Sequence, residues 1–331
     1  MTAPKCDAQD YIDFIIGTPR YYTCMEAARV QPEREEAPAH DSLTRLLHRL
    51  EPDSESLWQE SRSRIALERG VLVLDDSTLD KPYARQMGLV SRHWSGKHQR
   101  VVQGINLVSL IWSDGDTHMP CDYRIYDKAG DGQSKNDHFK ALVTEAKARG
   151  FKPQAMLFDS WYSSLANLKQ VRDYGWTWLT QLKANRLINP DRRGNIPLGK
   201  ADLSAKGQVV HLKGYGMIQV FRTLTPNGEA KYWATNDLQM TPLQRVSLAE
   251  KADTIEQYHR GIKQFCGIER CQARAPRAQR NHIGLAIRAF LRLECWSLAT
   301  GHSWQALKTA ITRPAVTAYL AHPIYQLNPT A

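Results

Sequence analysis

The chain lacks any run of about 18 apolar residues, the length that crosses a bilayer, so no membrane span is expected. Its first residues, MTAPKCDAQD, lack a basic-then-apolar leader, and secretion is not expected. Cysteine is sparse and scattered. Cys6, Cys24, Cys121, Cys266, Cys271 and Cys295 point to reduced thiols in a cytoplasm rather than a disulfide framework. Cys266 and Cys271 are the one close pair, and without a second Cys/His pair nearby their spacing is a poor zinc signature. Internal repeats and low-complexity tracts are absent as well. Acid is what one segment lacks: between Gln257 and Arg292, Glu269 stands alone against Arg260, Lys263, Arg270, Arg274, Arg277, Arg280, Arg288 and Arg292.

What is present fits a globular protein. Of 331 residues, 42% are hydrophobic and 24% charged, enough for a sizeable core and about two folding units. Lys plus Arg number 44 against 34 acids, a net charge of +10 and a pI near 9.3. A pI this high is the electrostatic footprint of a nucleic-acid binder, although a basic cytoplasmic enzyme shares it.

Residues 1–70 read as three short helices. AQDYIDFIIGTP is apolar at Tyr11, Ile12, Phe14, Ile15 and Ile16 and stops at Gly17 and Pro19. QPEREEAPAH (31–40) is a polar connector, after which Asp41 or Ser42 caps LTRLLHRL, with leucines at helical spacing. A third helix is expected over about Glu55–Arg69. With Arg45, His48 and Arg49 on its second helix, this region reads as a DNA-binding element or as a packing subdomain.

From Gly70 the pattern changes to that of an open α/β sheet. VLVL (71–74) is a short buried strand ending at Asp75 and Asp76. RVVQGINLVSLIW, SDGD and THMPCDYRIY form a long hairpin. SKNDHFKALVTEAKARG is a capped helix starting at Ser134 or Asn136 and stopping at Gly150, AMLFD a strand ending at Asp159, SSLANLKQVRDYG a helix and WTWLTQLK a strand. Residues 186–240 then break the rhythm with several β segments and Asn227-Gly228 at a tight hairpin, which reads as an all-β insertion. The expected domains are 1–70, 71–300 interrupted at 186–240, and a tail over 301–331.

Asp75/Asp76 and Asp159 thus end buried strands, and Glu256 opens a helix. Carboxylates at the carboxyl ends of strands project into the crevice where open α/β sheets place ligands. Such oxygen-rich clusters suit Mg²⁺ or Mn²⁺, which activate a water or 3′-hydroxyl for phosphodiester cleavage or transfer. Clustered carboxylates would otherwise repel one another. The bland reading of each is a strand-end residue or a helix cap.

VLVLDDSTLDKPYA, VVQGINLVSLIW, LFDSWYSS and IEQYHRGIKQFCGIERCQ together resemble the DDE transposases of bacterial insertion sequences, over roughly Gly70–Trp296. They are most similar to the group with a β-rich insertion before the last carboxylate. The resemblance implies an RNase H-like catalytic domain, Mg²⁺ with Mn²⁺ as a substitute, and a double-stranded DNA substrate comprising element ends and target. It also implies a homodimer assembled on DNA and a nucleoid-associated, cytoplasmic location. Carried over, Asp159 and Glu256 are the second and third acidic ligands. The family's Asp-x-Ser/Thr pattern fits both Asp75 with Ser77 and Asp76 with Thr78. Asp75 is preferred, and the other aspartate lies beside the site. Of the family's Y-x2-R-x3-E-x6-K signature, Glu256 and Lys263 are in place, whereas the Tyr and Arg positions hold Ala249 and Ala252.

On a helix Glu256, Arg260 and Lys263 share one stripe, beside an apolar stripe of Leu248, Ala252, Ile255, Ile262 and Cys266. Arg260, Lys263, Arg270 and Arg274 are therefore candidate phosphate contacts. Trp161 and Tyr162, directly after Asp159, are candidates for stacking on a base. Trp94 is a further candidate, while Trp176 and Trp178 read as core residues of a strand. SRHWSGKHQR (91–100) reads as a basic, DNA-contacting loop or a merely solvated one. The function expected is cleavage of element ends and joining of the 3′-OH to target DNA. Its rivals are an RNase H-like nuclease without strand transfer and a domesticated, cleavage-inactive DNA-binding protein.

Overall fold

Val71–Leu74 are buried at every position, as in a strand covered on both faces. In the computed structural model, which describes residues 4–32, 37–95 and 99–323, they begin strand β1 (Val71–Asp80). The strand continues past the two aspartates that were expected to end it. The reason is its partner: β3 (Arg100–Ser113) pairs antiparallel with β1 along its whole length, from Val71↔Ser113 to Asp80↔Gly104. At that far end β3 also meets β2 (Ser91–Ser95), where a Cβ on Gly104 would lie 2.5 Å from the Leu79 carbonyl oxygen. Only glycine fits so close an approach.

β4 (Met119–Tyr126) pairs antiparallel with β3 as the expected hairpin. β5 (Ala155–Phe158) lies parallel to β1, and β6 (Trp178–Leu182) parallel to β5. The central order β4-β3-β1-β5-β6 joins an antiparallel meander to two parallel strands, with helices in the crossovers, which is an RNase H-like sheet. After the short helix α5 (Lys128–Asp131), α6 (Lys135–Ala148) starts at Ser134, whose side chain accepts from the Asp137 amide in a capping box. Phe139, Leu142, Val143 and Ala146 are buried on its inner face. α7 (Leu165–Asp173) makes the second crossover. Trp178 is core in β6, as expected; Trp176 is buried too but precedes the strand.

The β-rich segment comprises β7 (Leu187–Asn189), β8 (Ile196–Pro197), β9 (Gln208–Leu212), β10 (Gly216–Leu224) and β11 (Ala230–Thr235). It extends the same sheet, because β11 pairs antiparallel with β6. Asn227-Gly228 lies in the β10–β11 hairpin, where Gly228 takes φ +81° and the Thr225 amide donates to the Glu229 carbonyl. The loop between the strands is longer than the expected tight turn.

Two stretches depart from expectation because polar composition concealed local order. In Ser91–Arg100, expected as a loop, His93 is buried and Trp94 exposed, the alternation of the strand β2. Residues 96–98 of that stretch, and 33–36 of the expected connector, lie outside the described residues. The second departure concerns the helix carrying Glu256. α8 (Pro242–Ala252) ends at Asp253, and α9 (Thr254–Gln264) starts anew. The Thr254 hydroxyl donates to the Lys251 carbonyl at 2.6 Å, occupying an acceptor a continuous helix would offer to an amide. Leu248 and Ala252 therefore belong to the preceding helix, and Ile255, Tyr258 and Ile262 form the buried face of α9.

The chain forms two compact units: residues 54–82 with 89–259, and residues 1–53 with 83–88 and 260–331. The first holds the sheet and α4 (Glu55–Ser61), which ends in a 3-10 turn instead of continuing to Arg69. In the second, α1 (Ala8–Gly17), α2 (Cys24–Arg29) and α3 (His40–Arg49) pack with α10 (Pro276–Thr300) and α11 (Trp304–Ala321). α2 was not expected, since six residues show no periodicity. α3 starts after Ala39 rather than at Asp41 or Ser42, without a side-chain cap. Asn281 donates to the Leu47 and Leu50 carbonyls at 2.8 Å each, closing the C-terminal end of α3 from α10. α11 occupies the region expected as a tail. Among the described residues no helix is long and apolar enough to cross a membrane.

Candidate active site

The register of β1 and β5 places the acidic residues. The parallel pairing runs from Val71↔Ala155 to Leu74↔Phe158 and stops there. Asp75 and Asp159 are the next residues on the two strands, so they stand side by side where the parallel pair ends. Asp159 turns out of the sheet, caps the 3-10 turn Ser160–Tyr162 and accepts from the Ser160 amide.

Successive side chains on β1 point to opposite faces. Asp76, on the face of α6, accepts from Asn106 Nδ2 at 2.7 Å, Lys135 Nζ at 2.8 Å and Tyr162 Oη at 2.7 Å. Burial alone would raise its carboxyl; the Lys135 charge and the hydrogen bonds from Lys135, Asn106 and Tyr162 outweigh burial and hold it below its ordinary value. Asn106 reaches it from β3 because it pairs with Thr78, two residues along on the same face.

Asp75 has the opposite environment. Burial, followed by the negative charge of Asp76 and then of Asp159 and Glu256, drives its carboxyl well above the ordinary range. Glu256, on the first turn of α9, is exposed, and His259, one turn on, is buried. One ligand atom from each of Asp75, Glu256 and His259 lies within 4.8 Å of the others, a spacing at which all three could reach one cation. Asp159 is outside this tight group, though close enough to perturb Asp75. The donor set of two carboxylates and an imidazole, with Asp75 destabilised by neighbouring negative charge, fits a divalent ion that would neutralise it.

The aromatic candidates divide. Trp161 is 56% exposed, with Lys183 Nζ 5.4 Å and Lys135 Nζ 6.0 Å from its ring centre. Tyr162, expected beside it as a base-stacking residue, is fully buried, its ring stacked on Phe139 and its hydroxyl on Asp76. It offers no face to a base, and that expectation is corrected. Burial and the Asp76 carboxylate raise its phenol, which therefore stays a donor. Trp94 is exposed on β2. Among the basic candidates Arg260, Arg270 and Arg274 are exposed, while Lys263 is half-buried and pairs with Glu269 at 3.2 Å.

His259 was not singled out from the sequence. The signal was present as a Glu and a His three residues apart on one helix face, an arrangement known to present both donors to one ion.

No curated protein matches the chain. A family model described as the transposase DDE domain matches residues 66–291, well over half of the chain and all the residues named above from Asp75 to Arg274. With its RNase H-like sheet and acidic residues gathered where the parallel strands end, the chain belongs to the DDE transposase family.

Proposed function

We propose that this protein cuts the ends of a bacterial insertion sequence and joins the freed 3′-OH to target DNA, with Asp75, Asp159 and Glu256 as its acidic triad. The observation that carries this reading is the convergence of Asp75 and Glu256, 181 positions apart in the chain, from β1 and α9 to one metal-sized spacing. Asp76 is not one of the ligands in this reading: its three hydrogen bonds already engage both carboxylate oxygens. It anchors β1 to α6 and to the turn after Asp159, and so positions its neighbour. Divalent cations, Mg²⁺ or in its place Mn²⁺, supply the positive charge that activates an attacking oxygen and stabilises a departing one.

The remaining roles follow from charge. Arg260, Arg270 and Arg274 are exposed cations suited to DNA phosphates, and Lys263 joins them if DNA competes with Glu269. Trp161, flanked by two ammonium groups, presents an open ring for a base near the cut. Residues 1–70 serve as a DNA-binding region, and a homodimer holds both element ends within the nucleoid.

The test is an oligonucleotide assay using the DNA that flanks the gene, with terminal inverted repeats as the expected ends. Labelled ends incubated with protein and Mg²⁺ should yield both cleaved and strand-transfer products. Cleavage without joining would identify a nuclease, and end binding without cleavage a domesticated DNA-binding protein.

A further inference from the structure

We propose that His259 is a direct ligand of the divalent cation held by Asp75 and Glu256, so that the centre binds through nitrogen as well as oxygen. This rests on the metal-dependent reading above and adds a residue to it.

Three observations support the assignment. The imidazole supplies a nitrogen within 4.8 Å of carboxylate oxygens from both Asp75 and Glu256. Two bonds of about 2.0–2.2 Å to a single ion span at most about 4.4 Å, so the donors need close in by only a few tenths of an ångström to share it. Next, Glu256 and His259 are separated by three residues on α9, so their side chains leave the same face one turn apart. Finally, His259 is 4% exposed while Glu256 on the same helix is exposed, so the cluster spans the boundary between the interior and solvent. Asp75 approaches from β1. Donors from one strand and one helix face would leave the rest of an ion's coordination open to water and phosphate oxygens.

The chemistry has a consequence for metal choice. An all-oxygen site suits Mg²⁺, whereas an imidazole donor favours softer first-row ions. With His259 as ligand, Mn²⁺ should bind more tightly than Mg²⁺, and the margin should depend on that one nitrogen.

The experiment uses the full-length protein with Mn²⁺ alone, read by pulsed electron paramagnetic resonance and by calorimetric titration. Bound Mn²⁺ should show a coupling to ¹⁴N that changes to the ¹⁵N pattern when the protein is grown with ¹⁵N-histidine. In His259→Asn the coupling should vanish, and the Kd for Mn²⁺ should rise about tenfold or more, with a smaller change for Mg²⁺. Mn²⁺ that binds the wild type without nitrogen coupling would overturn the assignment while leaving the carboxylate site standing. Coupling that survives in His259→Asn would also overturn it. If Asp75→Asn binds Mn²⁺ as the wild type does, the metal site itself is misplaced and both readings fall. Should His259→Asn not fold, the labelled wild type still decides whether a histidine nitrogen is bound.

Discussion

On one face of β1, Asp76 is held by three donors drawn from β3, α6 and the turn after β5. On the other, Asp75 meets carboxylates in Asp159 and Glu256 and the imidazole of His259. The two residues are chemically identical and adjacent in the chain. Their surroundings push one carboxyl down and the other up. A protein that needs only a stable strand would satisfy both. The difference separates a residue that holds the sheet to its helices from one kept under electrostatic stress, and stress of that kind is characteristic of functional sites. It also explains how the site can be accurate: the stressed carboxylate projects from a strand whose neighbouring residue is held by three donors.

The largest expected effect lies in cleavage. Asp75→Asn, Asp159→Asn and Glu256→Gln should each reduce metal-dependent cleavage of a DNA end more than about 100-fold, beyond the loss expected for a partner outside the ligand set. End binding should change little, because each variant leaves the basic surface intact. Asp76→Asn should retain measurable cleavage, most visibly in Mn²⁺. Rates within about tenfold of wild type for Asp75→Asn, with Asp76→Asn inactive, would reverse the two roles.

Stability should rank the same pair the other way. Asp76→Asn removes the counter-charge of Lys135, whose side chain is 20% exposed, and should cost about 1.5–3 kcal/mol without metal. Asp75→Asn removes a repelled charge and should leave stability unchanged or improved. The pH dependences are opposite in sign. Asp76 has a depressed folded value, so its contribution is complete above the ordinary 3.8 and fades as pH falls through the folded value. Asp75 has a raised one, so stability is lost as pH climbs from 3.8 through its folded value. Urea titrations in EDTA between pH 3 and 8 would show both trends, and equal destabilisation by the two variants at pH 7 would erase the distinction.

Much of this was legible where the signal is local. The buried run Val71–Leu74, the capped start of α6 at Ser134 and the hairpin of β3 with β4 follow from short-range pattern. Asp75 against Asp76 was not decidable that way, because Ser77 and Thr78 make both fit one motif. What sets their surroundings apart is Lys135, 59 residues away, and Tyr162, 86 away. Tyr162 was misread for the same reason. Its neighbour Trp161 is open to solvent, and only the 3-10 turn reveals that the next ring points inward. The end of α8 depends on one hydroxyl, Thr254, donating to a carbonyl, which periodicity does not register.

The smallest effect isolates one donor of the Asp76 cage. Tyr162→Phe keeps the ring stacked on Phe139, 5.6 Å between centres, and deletes only the 2.7 Å hydrogen bond to Asp76. Asn106 and Lys135 remain on the other carboxylate oxygen. The expected cost is therefore about 1 kcal/mol, within the range for a single intramolecular hydrogen bond and below that of Asp76→Asn. Because the phenol helps hold the Asp76 carboxyl down, the variant should also move the acid limb of the stability curve toward higher pH. DNA affinity should not change, since the ring is inside the protein. Trp161→Ala, one residue earlier, should weaken binding of single-stranded ends by about 1–3 kcal/mol if its exposed ring stacks on a base. Loss of DNA affinity in Tyr162→Phe with stability intact would mean that the hydroxyl faces the substrate, and the Asp76 side of β1 would then belong to the DNA-binding surface.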